Sequence, residues 1–208
     1  MTRTVAQFFC GLLVTIGLVM TSNASFIYTA MTPTGGWSLP PLNGEIGNEV
    51  TAAGTDRYIT SLGIEIYSQN GIFPSGTPGF ADFRAQLYAN NGTGGQPGSL
   101  LWQSAVETVN YPGGLSMLTF AVPNVLVPDT FTWTLQYSNT SPIPPGLPGA
   151  NPPTVGTSDS GWFRAPSSAW TPLSGSLMAQ IQAVPEPGVG ALGSVAALIF
   201  CSFRRRTV

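Results

Sequence analysis

At 208 residues the chain has room for one ordinary domain once targeting segments are set aside. Charged residues make up 8% of it, where a typical soluble domain has about 25%, and Lys and His are both absent. Away from the two ends, only Arg57, Arg84 and Arg164 stand against eight acidic residues, which excludes the basic footprint that nucleic-acid binding requires.

Met1–Ala24 reads as a secretory signal peptide. Arg3 supplies the basic start, Phe8–Met20 the apolar run, and Ser22-Asn23-Ala24 a small-x-small site. Cleavage is therefore expected between Ala24 and Ser25. The run is short for a bilayer span, so a retained N-terminal anchor is the weaker alternative. Cys10 lies inside this run and Cys201 inside the apolar tail. The part between them has no disulfide and must be held by its own core. Some 150 residues suffice, because a chain of that size buries roughly two thirds of its unfolded surface.

From Ser25 to Ala183 no helical period is sustained. Gly (25) and Pro (19) punctuate short segments whose apolar residues alternate. Ser61–Ser68 puts Leu62, Ile64 and Ile66 on one face. Ala81–Ala89 turns Phe83, Ala85 and Leu87 inward, with Arg84 and Gln86 outward. Asp129–Ser138 is the cleanest case, with Phe131, Trp133, Leu135 and Tyr137 alternating against Thr and Gln. Less regular strands are expected near Gly47–Ala53, Leu100–Val109, Leu115–Val122 and Gly175–Ala183. Seven or eight such strands predict an all-β fold, an antiparallel β-sandwich of jelly-roll or immunoglobulin-like type. Asn70–Pro78 and Asn139–Pro153 are rich in Pro and Gly. The second holds six prolines and is expected to be an extended, exposed loop.

The body offers little to a catalyst. Without His there is no His-dependent triad, without Lys no Schiff base, and without a body Cys no thiol nucleophile or thiolate zinc site. A carboxylate pair could still run glycoside hydrolysis. The candidates are Glu45, Glu49, Asp56, Glu65, Asp82, Glu107, Asp129 and Asp159, with Glu65 and Asp82 expected on solvent faces or edges. Asn43-Gly44-Glu45 and Asp159-Ser160 look like loops but lack the dense acidic spacing of a calcium cage. No enzyme activity, metal or cofactor is expected. Tryptophan is the more informative residue. Trp102 and Trp133 lie in strands and are read as core. Trp37, Trp162 and Trp170 fall in Gly/Pro/Ser-rich stretches, where an exposed indole beside neutral hydrogen-bonding groups can stack on a sugar ring.

The last 25 residues carry the sharpest signal. Val184-Pro185-Glu186-Pro187 precedes the uncharged apolar run Gly188–Phe203, then Arg204-Arg205-Arg206. A 16-residue helix spans about 24 Å, enough to insert if the bilayer thins and the arginines snorkel. The arginines would stay cytoplasmic and leave everything before Pro185 outside. Pro185 and Pro187 bar the helix from running upstream and hold a stiff extended tripeptide at the membrane surface.

This order resembles the PEP-CTERM sorting domain of Gram-negative bacteria. The resemblance implies a recognition motif at Pro185, Glu186 and Pro187, a transmembrane segment at Gly188–Phe203 and a stop at Arg204–Arg206. It also implies processing near the motif by an exosortase, after delivery by the secretion machinery. An ordinary tail anchor would account for the helix and arginines but not for Pro-Glu-Pro. The body resembles the choice-of-anchor R type of domain, through the strand–loop–strand unit AQLYANNGTGGQPGSLLWQS (Ala85–Ser104), the Thr130–Tyr137 strand and Gly161-Trp162. That family has no defined activity, so the resemblance implies a fold and a location rather than a reaction. The expected organisation is a signal peptide (1–24), an exported domain (25–183) and a sorting signal (184–208). The expected role is structural or adhesive, at the cell surface or in an exopolysaccharide matrix or biofilm. The alternative is a carbohydrate-binding module using the loop tryptophans.

Overall fold

Segments with alternating apolar residues are the ones that pair, because pairing two such strands in register gives one face that excludes water. The computed structural model describes residues 23–39, 42–68, 78–141, 144–158 and 160–186. Most of the expected signal helix, the expected transmembrane helix, Pro187, Arg204–Arg206, Asp159 and most of the Asn70–Pro78 loop lie outside them. Fourteen strands occur among the described residues. In chain order they are β1 Ser25–Ala30, β2 Pro33–Ser38, β3 Glu45–Thr51, β4 Tyr58–Ser68, β5 Gly79–Ala89, β6 Leu100–Gln103 and β7 Glu107–Tyr111. These are followed by β8 Gly114–Leu126, β9 Thr130–Ser141, β10 Pro145–Ala150, β11 Ser160–Arg164, β12 Thr171–Ser174, β13 Ser176–Leu177 and β14 Ala179–Val184. The only helix among the described residues is one 3₁₀ turn, Thr93–Gly95.

The strands form two antiparallel sheets. In the first, β14 lies between β1 and β4, and β8 flanks β4 on its other side. β10 pairs with the end of β4 and carries β2 and β13. In the second the order is β12-β11-β3-β9-β5, with β6 and β7 pairing in turn along β5. The three clearest sequence patterns are central strands. Pairing of Phe83 with Tyr137, Ala85 with Leu135 and Leu87 with Trp133 puts the apolar sets of β5 and β9 on one face. Leu62, Ile64 and Ile66 of β4 join them in a single buried cluster drawn from both sheets. Full burial of a side chain such as Phe131 contributes about 1.5–3 kcal/mol.

Four expectations need correction. The proline-rich Asn139–Pro153 segment is not an exposed loop: β9 runs into it, and β10 follows with Leu147 buried. Prolines survive there because β10 has no continuous ladder. β4, β2 and β13 each pair with only two or three of its positions, so few N–H groups are required. The expected strand Leu100–Val109 is broken at Ser104, whose hydroxyl accepts from the Ala85 N–H and donates to the Ala105 carbonyl, ending β6 before β7 begins. Glu65 is buried rather than solvated. Beside it the Met117 and Gln180 side chains lean over Gly63, and burial pushes the Glu65 carboxyl up from its ordinary range. The strand count exceeds seven or eight because short β2, β6, β7, β12 and β13 carry little alternation to read.

Candidate functional site

Side chains alternate across a strand, so the residues between the buried ones form the outer face of the second sheet. Register then sets which of them meet. Arg164 of β11 stands opposite Glu45 of β3, Glu45 opposite Gln136 of β9, and Gln136 opposite Arg84 of β5. The neighbouring row reads Trp162, Gly47, Thr134, Gln86. Gly47 is required where it stands: a Cβ there would lie 1.8 Å from the Trp133 carbonyl oxygen, inside any contact distance.

Glu45 is the hub. One carboxylate oxygen accepts from Arg164 Nε (3.1 Å) and Nη2 (2.5 Å); the other accepts from the Tyr88 hydroxyl (2.9 Å) and the Thr134 hydroxyl (3.0 Å). Thr134 has one proton and spends it on Glu45. Its 3.2 Å contact with Gln86 is therefore satisfied with the Gln86 amide turned so that its NH₂ donates to Thr134. The outward-facing Glu45 and Gln86 are both only 5% exposed, and the connection after β11 returns to this face. It carries Trp170, whose ring meets Tyr88 edge-on at 5.6 Å and lies 4.3 Å from the Arg164 guanidinium carbon. Burial, then the neighbouring Glu45 charge, pushes the Tyr88 phenol well above its ordinary value, so it remains a neutral donor.

Beside this network is a depression of 420 Å³, lined by Asn43, Glu45, Gln136, Arg164, Pro166 and Ser167 among others. A smaller one of 230 Å³ shares Asn43 and Gln136 with it and continues to Asp82, Arg84, Val106 and Ser138. Asn43 (φ 60°) and Ser167 (φ 61°) both hold left-handed backbone, a conformation that costs non-Gly residues energy and gathers at functional sites. Gln136 supports the junction by donating to the Asn43 carbonyl at 2.8 Å.

Compared with known protein families, curated proteins and solved structures, the chain matches none.

The tryptophans predicted as ligand contacts divide. Trp162 is a strand residue of β11, half-buried, with its indole N–H 3.4 Å from Glu49. Trp170 shares its face. Trp37 is 44% exposed on β2, in the other sheet. Trp133 is core, and Trp102 packs partly buried against it. Ala24 is exposed just ahead of β1, Ser25 opens β1, and Pro185 and Glu186 are exposed immediately after β14. Within Asn43-Gly44-Glu45, Glu45 begins β3 and its carboxylate is paired with Arg164. Among the described residues no group of three His, Cys, Asp or Glu could hold a metal ion. Arg84, Arg164 and Tyr88 escaped the sequence reading as site residues. The scarcity of body cations was the available signal, since a lone arginine among acids must either pair or wait for a partner.

Proposed function

We propose that the chain is an exported surface or extracellular-matrix protein, sorted through its Pro-Glu-Pro tail by an exosortase-type enzyme, with a structural or adhesive role rather than a catalytic one. Its body is a β-sandwich of jelly-roll or immunoglobulin-like kind, tethered through the C-terminal helix until processing. One observation supports this most. The folded unit runs from Ala24 to Val184, so it starts at the expected signal cleavage and stops just before Pro185. β1 pairs with β14, Ser25 opposite Ala183, so both ends of the body meet at one end of one strand pair. Cutting at either processing site removes no strand. Intact-mass measurement of protein recovered from its host tests this. The expected product starts near Ser25 and ends close to Pro185; one that still carries Arg206 and Val208 refutes sorting-linked trimming.

A second reading, carbohydrate binding within an exopolysaccharide matrix, is favoured by a specific arrangement. Trp162 and Trp170 share the outer face of the second sheet with Asn43 and Gln136, which line both depressions; aromatic and amide groups on one face are of the type that holds sugars.

A further inference from the structure

We propose that the trough on the outer face of the second sheet binds a uronate-bearing polysaccharide, with the Arg84 guanidinium gripping the sugar carboxylate. This rests on the carbohydrate-binding reading and adds the ligand class and the residue that selects it.

The two depressions share Asn43 and Gln136, so they are neighbours on one face and together reach from Arg164 to Ser138. The larger falls within the range of about 300–1,000 Å³ typical of small-ligand sites. Each depression is lined by one arginine, Arg164 in the larger and Arg84 in the smaller, and the two are in opposite conditions. Arg164 is held through its Nε and Nη2 by Glu45 and the Tyr88 oxygen, and by the Trp170 ring, so it is scaffold. Arg84 has no ion pair among the described residues, and its Nε is buried without a hydrogen-bond partner. A cation that lines an open depression without an ion pair among the described residues is available to an anion. The planar fork of a guanidinium fits a carboxylate with two parallel hydrogen bonds.

The remaining lining selects a sugar. Asn43, Gln136 and Ser138 offer amide and hydroxyl groups that match ring hydroxyls, and Val106, 48% exposed, offers a small apolar wall for a C–H face. Asp82 lines the same depression, held by Thr108 (2.5 Å) and Asn139 (3.1 Å), and can accept from a hydroxyl but not from an anion. With three arginines against eight acids in residues 25–183, a polyanion with more than one charge per sugar, such as a sulfated polymer, is the poorer match. A polymer with one carboxylate per sugar and hydroxyls elsewhere is the better match.

The test uses the full chain in non-ionic detergent, with polygalacturonate and its fully methyl-esterified form as probes in affinity electrophoresis. The ester keeps the ring and removes the anion, so the comparison needs no protein variant. The expected result is retardation by polygalacturonate at least tenfold stronger than by the ester, weakened by salt. Arg84→Gln should lose that difference and Arg84→Lys should keep part of it, both with an unchanged thermal midpoint because Arg84 makes no side-chain hydrogen bond among the described residues. Equal binding of acid and ester, unaffected by Arg84→Gln, overturns the carboxylate assignment and leaves the carbohydrate reading standing. Retardation by neither probe, nor by neutral galactan or dextran, overturns both.

Discussion

Arg164 and Glu45 are 119 positions apart in the chain and 2.5 Å apart in the fold, with side-chain exposures of 33% and 7%. A pair of this kind is hard to break from one side, since the remaining charge keeps its burial and loses its partner. The partial exposure of Arg164 allows water to compensate in part. Arg164→Ala is therefore expected to cost about 2–3 kcal/mol in urea unfolding, at the low end for one-sided disruption. Replacing both residues, Glu45→Gln with Arg164→Met, should restore more than half of that loss. A double variant as unstable as the single one would mean that the Trp170 contacts, not the ion pair, hold the connection down.

Among the elements, β3 owes its position to one residue. Asn48 points inward and is fully buried. Its Nδ2 donates to the Ser160 (3.0 Å) and Gly175 (2.9 Å) carbonyls, and its Oδ1 accepts from the Leu177 N–H (2.7 Å). These bonds tie β3 and β11 of one sheet to β13 of the other. Asn48→Ala is expected to destabilise by about 3 kcal/mol, roughly 1 per bond lost. Asn48→Asp should be at least as damaging, because it turns a carboxylate oxygen toward two carbonyls while keeping only the Leu177 bond. Denaturant midpoints of the two variants check this. Neither Asn48 nor β10 was legible beforehand. Asn48 is a polar residue that interrupts the alternation of Ile46 and Val50, so pattern alone does not turn it inward, and β10 is a strand made of Pro, Gly, Leu and Ala that three other strands reach. By contrast β4, β5 and β9 were readable nearly to their ends, since seven or more alternating residues leave one register that buries the apolar set.

For the whole molecule, the pairing of β1 with β14 means that the body cannot close until its last strand arrives. Ala179, Ile181 and Ala183 are fully buried between β1 and β4. A chain ending at Val184 should retain the cooperative unfolding transition of the full chain, measured by intrinsic tryptophan fluorescence. A chain ending at Met178 should lose it. Equal behaviour of the two would show that β14 is dispensable and would remove the main support for reading Pro185 as the edge of the folded unit.

Local pattern alone determined that this is an all-β chain, which residues of its long strands face the core, and that His, Lys and body-Cys chemistry is absent. It determined these because alternation and composition are properties of neighbouring residues. Only tertiary structure decided that Trp162 and Trp170 share a face while Trp37 does not, that Glu45 is spent on Arg164, and that Arg84 lines a depression with no ion pair among the described residues. Those outcomes depend on strand order and register between segments far apart in the chain, which the pattern within each segment does not encode.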